Sequence, residues 1–287
     1  MRKCLLCKRE LKFYQKVQEF SIDECFDCQL ATTVLSSANK LQISTDSSYN
    51  LKDYLTIKDL QRNKFKKIIS WLSQVIKKGK LLEVGAGFGL FASLISKNRQ
   101  YQVEVVEPEL NLFFLRNTKI KKHQASFESF LKKNKNRKFD AVIILDVLEH
   151  LNNPLKTLID TKKILNENGH LFIQCPNYKS LMAKICRNWS WWMVEDHKYH
   201  FSPKSLKKLL EKSGYKTISV KTYEIFYDFR KNLDGNFIGV KSPLLRKPAK
   251  GIFLMIFIPV YLLIRKIIWR LGYGGLIFVT AEKVKKL

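Results

Sequence analysis

The chain has no apolar run long enough to cross a bilayer. Its longest uncharged stretch is Gly251 to Ile264, 14 residues that include Pro259, against about 20 for a spanning helix. The segment Met1-Arg-Lys-Cys-Leu-Leu-Cys has no long apolar core of the kind a secretory signal needs, so the protein is expected to stay in the cytoplasm. Cysteine is scarce too: six in 287 residues are too few for a disulfide scaffold. Acid is short, with 25 Asp and Glu against 52 Lys and Arg and a net charge of +27. Such a surface attracts phosphates or an anionic membrane, which concerns partners and not fold. Arginine, the side chain suited to bidentate phosphate recognition, supplies only 11 of those bases against 41 lysines. A diffuse lysine surface and a dedicated polyanion site therefore both stay open. What is plentiful is apolar material, 46% of the chain with 12% aromatic, enough for at most two compact units.

Four of the cysteines sit in the first 28 residues as Cys4-Leu-Leu-Cys7 and Cys25-Phe-Asp-Cys28. Each C-x2-C turn can present two sulfurs to one tetrahedral ion, and the spacing predicts a four-thiolate zinc site. Four thiolates leave no open coordination position, so the zinc is expected to be structural. Cys175 and Cys186 read as reduced thiols, which suits a cytosolic compartment.

Residues 1–31 thus read as a small zinc-ribbon-like module. A polar stretch, Thr32 to Ser48, reads as a linker, and Leu55 to Lys77 as a helical lead-in, so that residues 32–78 connect the module to the main domain at 79–287. From Lys80 apolar runs alternate with helical patterns. Strands are expected at Leu81–Val84, Val103–Val106, Phe139–Leu145, His170–Gln174, Thr217–Lys221 and Leu276–Thr280. Helices are expected at Leu90–Lys97, Phe127–Lys133, Pro154–Leu165 and Pro203–Ser213. This alternation predicts an α/β fold with a mostly parallel central sheet covered on both faces. A basic apolar insertion at about 224–274 breaks the rhythm.

The first strand runs through Glu83-Val-Gly85-Ala-Gly87-Phe-Gly89 into a helix. Glycines there let backbone approach a ligand beyond the carboxyl end of the strand. A dinucleotide fingerprint would need glycine at position 90, where the chain has Leu90. Glu83 disfavours a pyrophosphate at this loop and favours a cationic ligand. The second strand ends at Glu107, where a carboxylate can accept both hydroxyls of a ribose.

Together these residues resemble the class I S-adenosylmethionine-dependent methyltransferases, over most of the chain from about Lys80. The resemblance implies the Rossmann-like fold of that family. It implies that Glu83, Gly85, Gly87 and Gly89 wrap the methionine part of the cofactor, that Glu107 binds its ribose, and that Asp146 in Asp146-Val-Leu-Glu149-His150 faces the methionine side. Gly169 to Asn177 resembles the fifth strand and its exit. Where the family often carries an acid for adenine, this chain reads His123-Gln-Ala-Ser126-Phe127, so backbone or Ser126 contacts would have to substitute.

Methyl transfer to a neutral oxygen or nitrogen gains from a base, and imidazole suits that role near neutral pH. The candidates are His197, then His200, then His150, the first two in Glu195-Asp-His197-Lys-Tyr-His200, which resembles a stretch in methyltransferases acting on sugars and quinone precursors. Ordinary structural roles, such as capping a turn or orienting Asp196, compete with this reading. Trp189, Trp191, Trp192 and Tyr199 could wall an acceptor pocket, against which stands plain core packing. The combined features resemble bacterial methyltransferases of surface-glycan assembly and imply a small-molecule or lipid-linked acceptor, a sugar hydroxyl foremost. Two alternatives remain. An RNA methyltransferase fits the charge and the zinc module, but the chain lacks the Asn/Asp-Pro-Pro-aromatic element of base amino-group methylation. A non-catalytic zinc-bearing scaffold fits less well with intact glycines and carboxylates. The bases around the apolar run, Arg246, Lys247, Lys250, Arg265, Lys266 and Arg270, suit peripheral contact with the inner face of an anionic membrane through residues 245–270. A buried, lysine-flanked core helix is the competing reading.

Overall fold

The computed structural model describes residues 2–34, 50–109, 111–186, 189–237 and 243–284. Most of the linker expected at Thr32–Ser48 lies outside them. The cysteine segment forms three short strands, β1 (Lys12–Val17), β2 (Phe20–Cys25) and β3 (Leu30–Val34), paired antiparallel in sequence order. The helical lead-in is divided at Ile57 into α1 (Leu51–Thr56) and α2 (Lys58–Val75), with Asn50 capping α1 by accepting the Lys52 N–H. In α2 the residues Lys64, Ile68 and Leu72 are buried. Their spacing of four places them in one row along the helix.

The alternation that follows comprises β4 (Gly79–Val84), α3 (Leu90–Ile95), β5 (Tyr101–Glu107), β6 (Lys121–Gln124), α4 (Phe127–Lys133), β7 (Phe139–Leu145), α5 (Pro154–Thr161), β8 (Leu165–Pro176), α6 (Leu181–Ile185), β9 (Tyr199–His200), α7 (Pro203–Lys212) and β10 (Tyr215–Tyr223). Two helices, α8 (Phe226–Phe237) and α9 (Pro243–Arg270), occupy the expected insertion, and β11 (Leu276–Lys283) closes the series. Ser126 caps α4 by accepting the Ser129 N–H. Ser202 and Ser205 exchange side-chain-to-backbone bonds at the start of α7, before its first-turn Pro203.

By contacts the chain divides into two compact units, Met1–Lys40 with Cys175–Leu206 and Val220–Phe278, and Leu41–Gln174 with Lys207–Ser219 and Val279–Leu287. Within the named elements the chain passes from one to the other in β8, α7, β10 and β11. This division does not follow the boundaries expected at 31 and 78. In the first unit β3 pairs with β9, Ala31 opposite His200 and Thr32 opposite Tyr199, in a four-stranded sheet of order β1-β2-β3-β9. A two-residue strand that pairs across most of the chain leaves no periodicity in the sequence, which is why the cysteine segment reads there as a separate module. Its core gathers Ile22, Tyr178, Met182, Trp192, Phe229 and Tyr261.

The strands of the second unit belong to a seven-stranded sheet of order β10-β11-β8-β7-β4-β5-β6. β4 pairs parallel with β5 on one side and β7 on the other, and β5–β6 and β7–β8 are parallel as well. Leu81, Leu82, Ile143, Ile144, Leu171 and Ile173 are fully buried, as expected of strands covered on both faces. The chain order reverses at β4. In an open α/β sheet the crevice beyond the carboxyl ends at such a reversal is where ligands bind.

Candidate active site and metal centre

Three strands of the second unit deliver polar residues to that crevice. β4 runs into the loop of Gly85, Gly87 and Gly89, whose φ values of 69°, 52° and 82° lie in the left-handed region that glycine enters at no steric cost. A Cβ on Gly85 would overlap Val147 Cγ2, and one on Gly89 would lie 2.5 Å from Leu115 Cγ, whereas the space beside Gly87 is open to 4 Å. The loop therefore packs on its two flanks and leaves room at its middle.

Glu83, in β4, is buried. Burial raises its pKa well above the carboxylate range, opposed by a backbone bond from Ala92 and aided by the charge of Glu107. Its Oε2 has no hydrogen-bond partner. Glu107, at the end of β5, accepts the Gly87 N–H at 2.7 Å and the Glu109 N–H at 3.2 Å. Its pKa is raised by burial against the pull of those two bonds. The glycine loop and the ribose-type acid are thus one connected unit, 2.7 Å apart.

Asp146 follows β7 with φ 55°, a conformation aspartate tolerates better than most residues. Its carboxylate accepts Lys64 Nζ at 3.0 Å and Gln174 Nε2 at 2.8 and 2.9 Å, and its N–H donates to the Gln174 carbonyl at 2.9 Å. Lys64 and Gln174 were not among the residues expected from the sequence. A signal for Lys64 exists, since it stands in the i, i+4 row of Ile68 and Leu72, but a lysine in a lysine-rich helix reads as solvated. Glu149 is buried in the turn after β7, and neither carboxyl oxygen has a hydrogen-bond partner. Burial first, and the Asp146 charge second, hold it protonated well above the usual range. His150 ends the same turn, half buried. Ser126, the expected substitute for an adenine-binding acid, already accepts a bond as the α4 cap and keeps its O–H to donate.

In the first unit Cys4, Cys7, Cys25 and Cys28 converge, every sulfur within 4.8 Å of the others. Cys7 and Cys25 sulfurs are 3.4 Å apart and none of the six cysteines is in a disulfide. The two turns share one geometry. The Lys8 N–H donates to the Cys4 carbonyl and the Gln29 N–H to the Cys25 carbonyl, and Lys8 and Gln29 both take positive φ, 64° and 52°. A tetrahedron with metal–sulfur bonds of about 2.3 Å has sulfurs about 3.8 Å apart. The four thiols therefore fit a zinc ion, and the Leu6 N–H, 3.4 Å from Cys4 Sγ, would support its charge.

The other two candidate bases, His197 and His200, lie in the first unit. His197 is buried, with Nδ1 3.0 Å from the Trp191 carbonyl. That acceptor requires a proton on Nδ1 and leaves the lone pair on Nε2. His200 is buried in β9, its Nε2 2.9 Å from Thr33 Oγ1 and its ring 5.0 Å from Trp192. Burial pushes its pKa down to about 3, so it is a neutral core imidazole with little capacity to take a proton near neutral pH. Trp189 and Trp192 are buried in the core of this unit and stack edge to face, 5.2 Å apart. Trp191 packs against that core from a partly buried position, and Tyr199 is likewise half buried. The cofactor-type residues are thus all in the second unit, and His197 and His200 in the first.

The family model described as "Methyltransferase domain" matches residues 59–220. The chain belongs to this methyltransferase family. An uncharacterized protein of Methanocaldococcus jannaschii is 30% identical over 138 residues, 48% of this chain and 55% of that protein, so the match spans about half of the relative's length. A SAM-dependent methyltransferase of Archaeoglobus fulgidus superposes with a TM-score of 0.54 at 18% identity, over 80% of this chain and 99% of that one. The 1,6-didemethyltoxoflavin-N1-methyltransferase of Burkholderia thailandensis, solved with didemethyltoxoflavin and S-adenosylhomocysteine, superposes at 0.50 with 10% identity, over 91% and 99%. These likenesses are of fold. In the methyltransferase domain of this chain, the open space beside Gly87, the orphaned oxygen of Glu83 and the strand-end Glu107 fit S-adenosylmethionine, a cation carrying a ribose.

Proposed function

We propose that the protein transfers a methyl group from S-adenosylmethionine to a small-molecule or lipid-linked acceptor, a sugar hydroxyl in cell-surface glycan assembly. The observation that carries the cofactor half is the glycine loop bound through Gly87 to Glu107, with open space at its middle and the buried Glu83 beneath. S-adenosylmethionine supplies an activated methyl on a sulfonium. Gly85, Gly87 and Gly89 bring backbone against it, Glu107 takes the ribose hydroxyls, and Asp146 lies on its methionine side with Lys64. His197 is the proton acceptor, because its Nδ1–H is held by the Trp191 carbonyl and Nε2 carries the lone pair. His200, low in basicity, and His150 rank behind it. As the acceptor oxygen gains the methyl, its proton passes to that nitrogen.

The four cysteines hold a structural zinc in this reading. The protein works in the cytoplasm, at or near the inner face of a membrane where a lipid-linked acceptor would be met. Labelled S-adenosylmethionine should bind the purified protein saturably, and Gly87→Asp, which places a carboxylate in the open space beside the loop, should abolish that binding. No binding by the parent protein ends the proposal. The acceptor is sought by mass spectrometry of lipid-linked glycans from cells with and without the protein, as a difference of about 14 Da for the added CH2. The net charge of +27 favours RNA as a second acceptor class. Methylation of RNA, with binding that falls steeply with salt, would replace the sugar reading.

A further inference from the structure

α9 has two unlike faces. Leu254, Phe257, Ile258, Tyr261 and Ile268 pack against the first unit's core. Tyr261 fastens the helix further, its O–H donating to Glu224 at 2.7 Å while its ring stacks on Phe229 at 4.0 Å. On the other side Ile256, Val260, Leu263, Ile267 and Leu271 are all exposed. Their spacings of three and four residues put the first four in one stripe along the helix, which Leu271 continues directly after the last helical residue, Arg270. Leu263 is 83% exposed and the neighbouring Met255 77%, values far from those of a core helix. A contiguous apolar stripe of this kind on a folded protein marks an interaction surface.

The charge of the helix selects what covers it. Its 28 residues contain Arg246, Lys247, Lys250, Arg265, Lys266 and Arg270 and no acid. Arg265 lies over the Trp269 ring, whereas Lys266 and Arg270 are exposed beside the stripe. A second copy of this chain would bring two sets of six bases together. An RNA would meet the bases but leave the apolar stripe in water. Only a surface that is apolar beneath and anionic above satisfies both, and that is the headgroup–acyl boundary of an anionic bilayer. The uncharged core of the helix, 14 residues, is about 21 Å long at 1.5 Å per residue, short of the roughly 30 Å hydrocarbon layer. No helix among the described residues is long and apolar enough to cross a membrane.

We infer that α9 lies in the plane of an anionic membrane surface, with the stripe from Ile256 to Leu271 immersed and Lys266 and Arg270 at the phosphates. The inference rests on the first unit alone and stands whether or not the methyl-transfer reading does. The test is flotation of the full-length protein with vesicles of phosphatidylcholine, or of phosphatidylcholine with about one third phosphatidylglycerol. The protein should float with the anionic vesicles and far less with the neutral ones. Leu263→Asp/Ile267→Asp should lower the bound fraction by about tenfold or more, and Lys266→Ser/Arg270→Ser should weaken binding to anionic vesicles only. All four positions are exposed, so unfolding temperature and S-adenosylmethionine binding should match the parent. That second readout reports on the methyl-transfer reading separately. Absence of flotation, flotation of the apolar double variant equal to the parent, or a dimer that this variant dissociates would each overturn the inference.

Discussion

Carboxylates at the carboxyl edge of the second unit and the histidines of the first are both buried, and they are treated in opposite ways. Glu83 and Glu149 are buried with oxygens that no protein group satisfies. His197 and His200 are buried with ring nitrogens on the Trp191 carbonyl and the Thr33 hydroxyl. A buried polar atom without a partner costs folding free energy and persists where something else makes use of it. A hydrogen bond of this kind fixes the ring in place: in His197 it holds Nδ1 and leaves Nε2 with the lone pair, whereas burial makes the His200 ring a weak base. The contrast leaves the Glu83 carboxylate beside the glycine loop with an oxygen to offer and assigns His200, in spite of its chemistry, to the framework of its unit.

The largest effect should come from the cysteine cluster, which would hold the framework of the first unit together. Zinc removal by a chelator, or Cys25→Ser, should destabilise that unit on the order of 5 kcal/mol, because four converging thiols lose their common ion. Tryptophan fluorescence during urea unfolding reads this, since Trp189, Trp191, Trp192 and Trp269 lie in the first unit. An unchanged transition in protein shown to be metal-free would remove zinc from the account. Next, Lys64→Met should cost about 3 kcal/mol by stranding the partly buried Asp146 with Gln174 alone. It should also weaken S-adenosylmethionine binding, measured by titration calorimetry. A loss of stability with unchanged affinity would make the pair structural and blur the contrast.

The smallest effects are in pH dependence, and the two regions should show opposite signs. The folded pKa of His200, about 3, lies below its unfolded value near 6.5. The unfolded chain therefore binds the extra proton, and this contribution is complete above about pH 6.5 and is lost as pH falls, about 2 kcal/mol by pH 5. Glu149 is raised, so its contribution is present below about pH 4.5 and is lost as pH rises. Glu224 in the first unit, pushed up to about 8 by burial, acts in the same sense as Glu149, so each residue is judged against its own variant. His200→Gln should flatten the acid side of the urea-derived stability profile, and Glu149→Gln the slope above pH 4.5. Profiles that keep the parent's shape in both variants would show that burial does not set these protonation states.

Much of the second unit was legible because its signals are local. Phe139–Leu145 and Phe127–Lys133 are found where apolar patterning puts them, and the remaining expected strands lie inside β4, β5, β8, β10 and β11. The glycine loop was legible because backbone geometry at Gly85, Gly87 and Gly89 admits few other residues. The division at Ile57 escaped notice, since apolar spacing runs through it without interruption. So did β9, whose two residues form a strand only through their pairing with β3. Lys64 and Gln174 escaped because their importance lies in meeting Asp146 across the fold, and neither has a neighbour in sequence that announces it.

By itself the sequence determined the order of six strands of the main sheet and four of the helices among them, the glycine loop with its carboxylates and the paired C-x2-C turns. All of these depend on residues within a few positions of one another. Only the tertiary structure decided that the cysteine segment shares a sheet with Tyr199 and His200, that His200 is a core imidazole, that Lys64 holds Asp146, and which face of α9 meets water. Burial and pairing are set by what packs on a residue from elsewhere in the chain. A residue's own type and spacing constrain those neighbours only weakly.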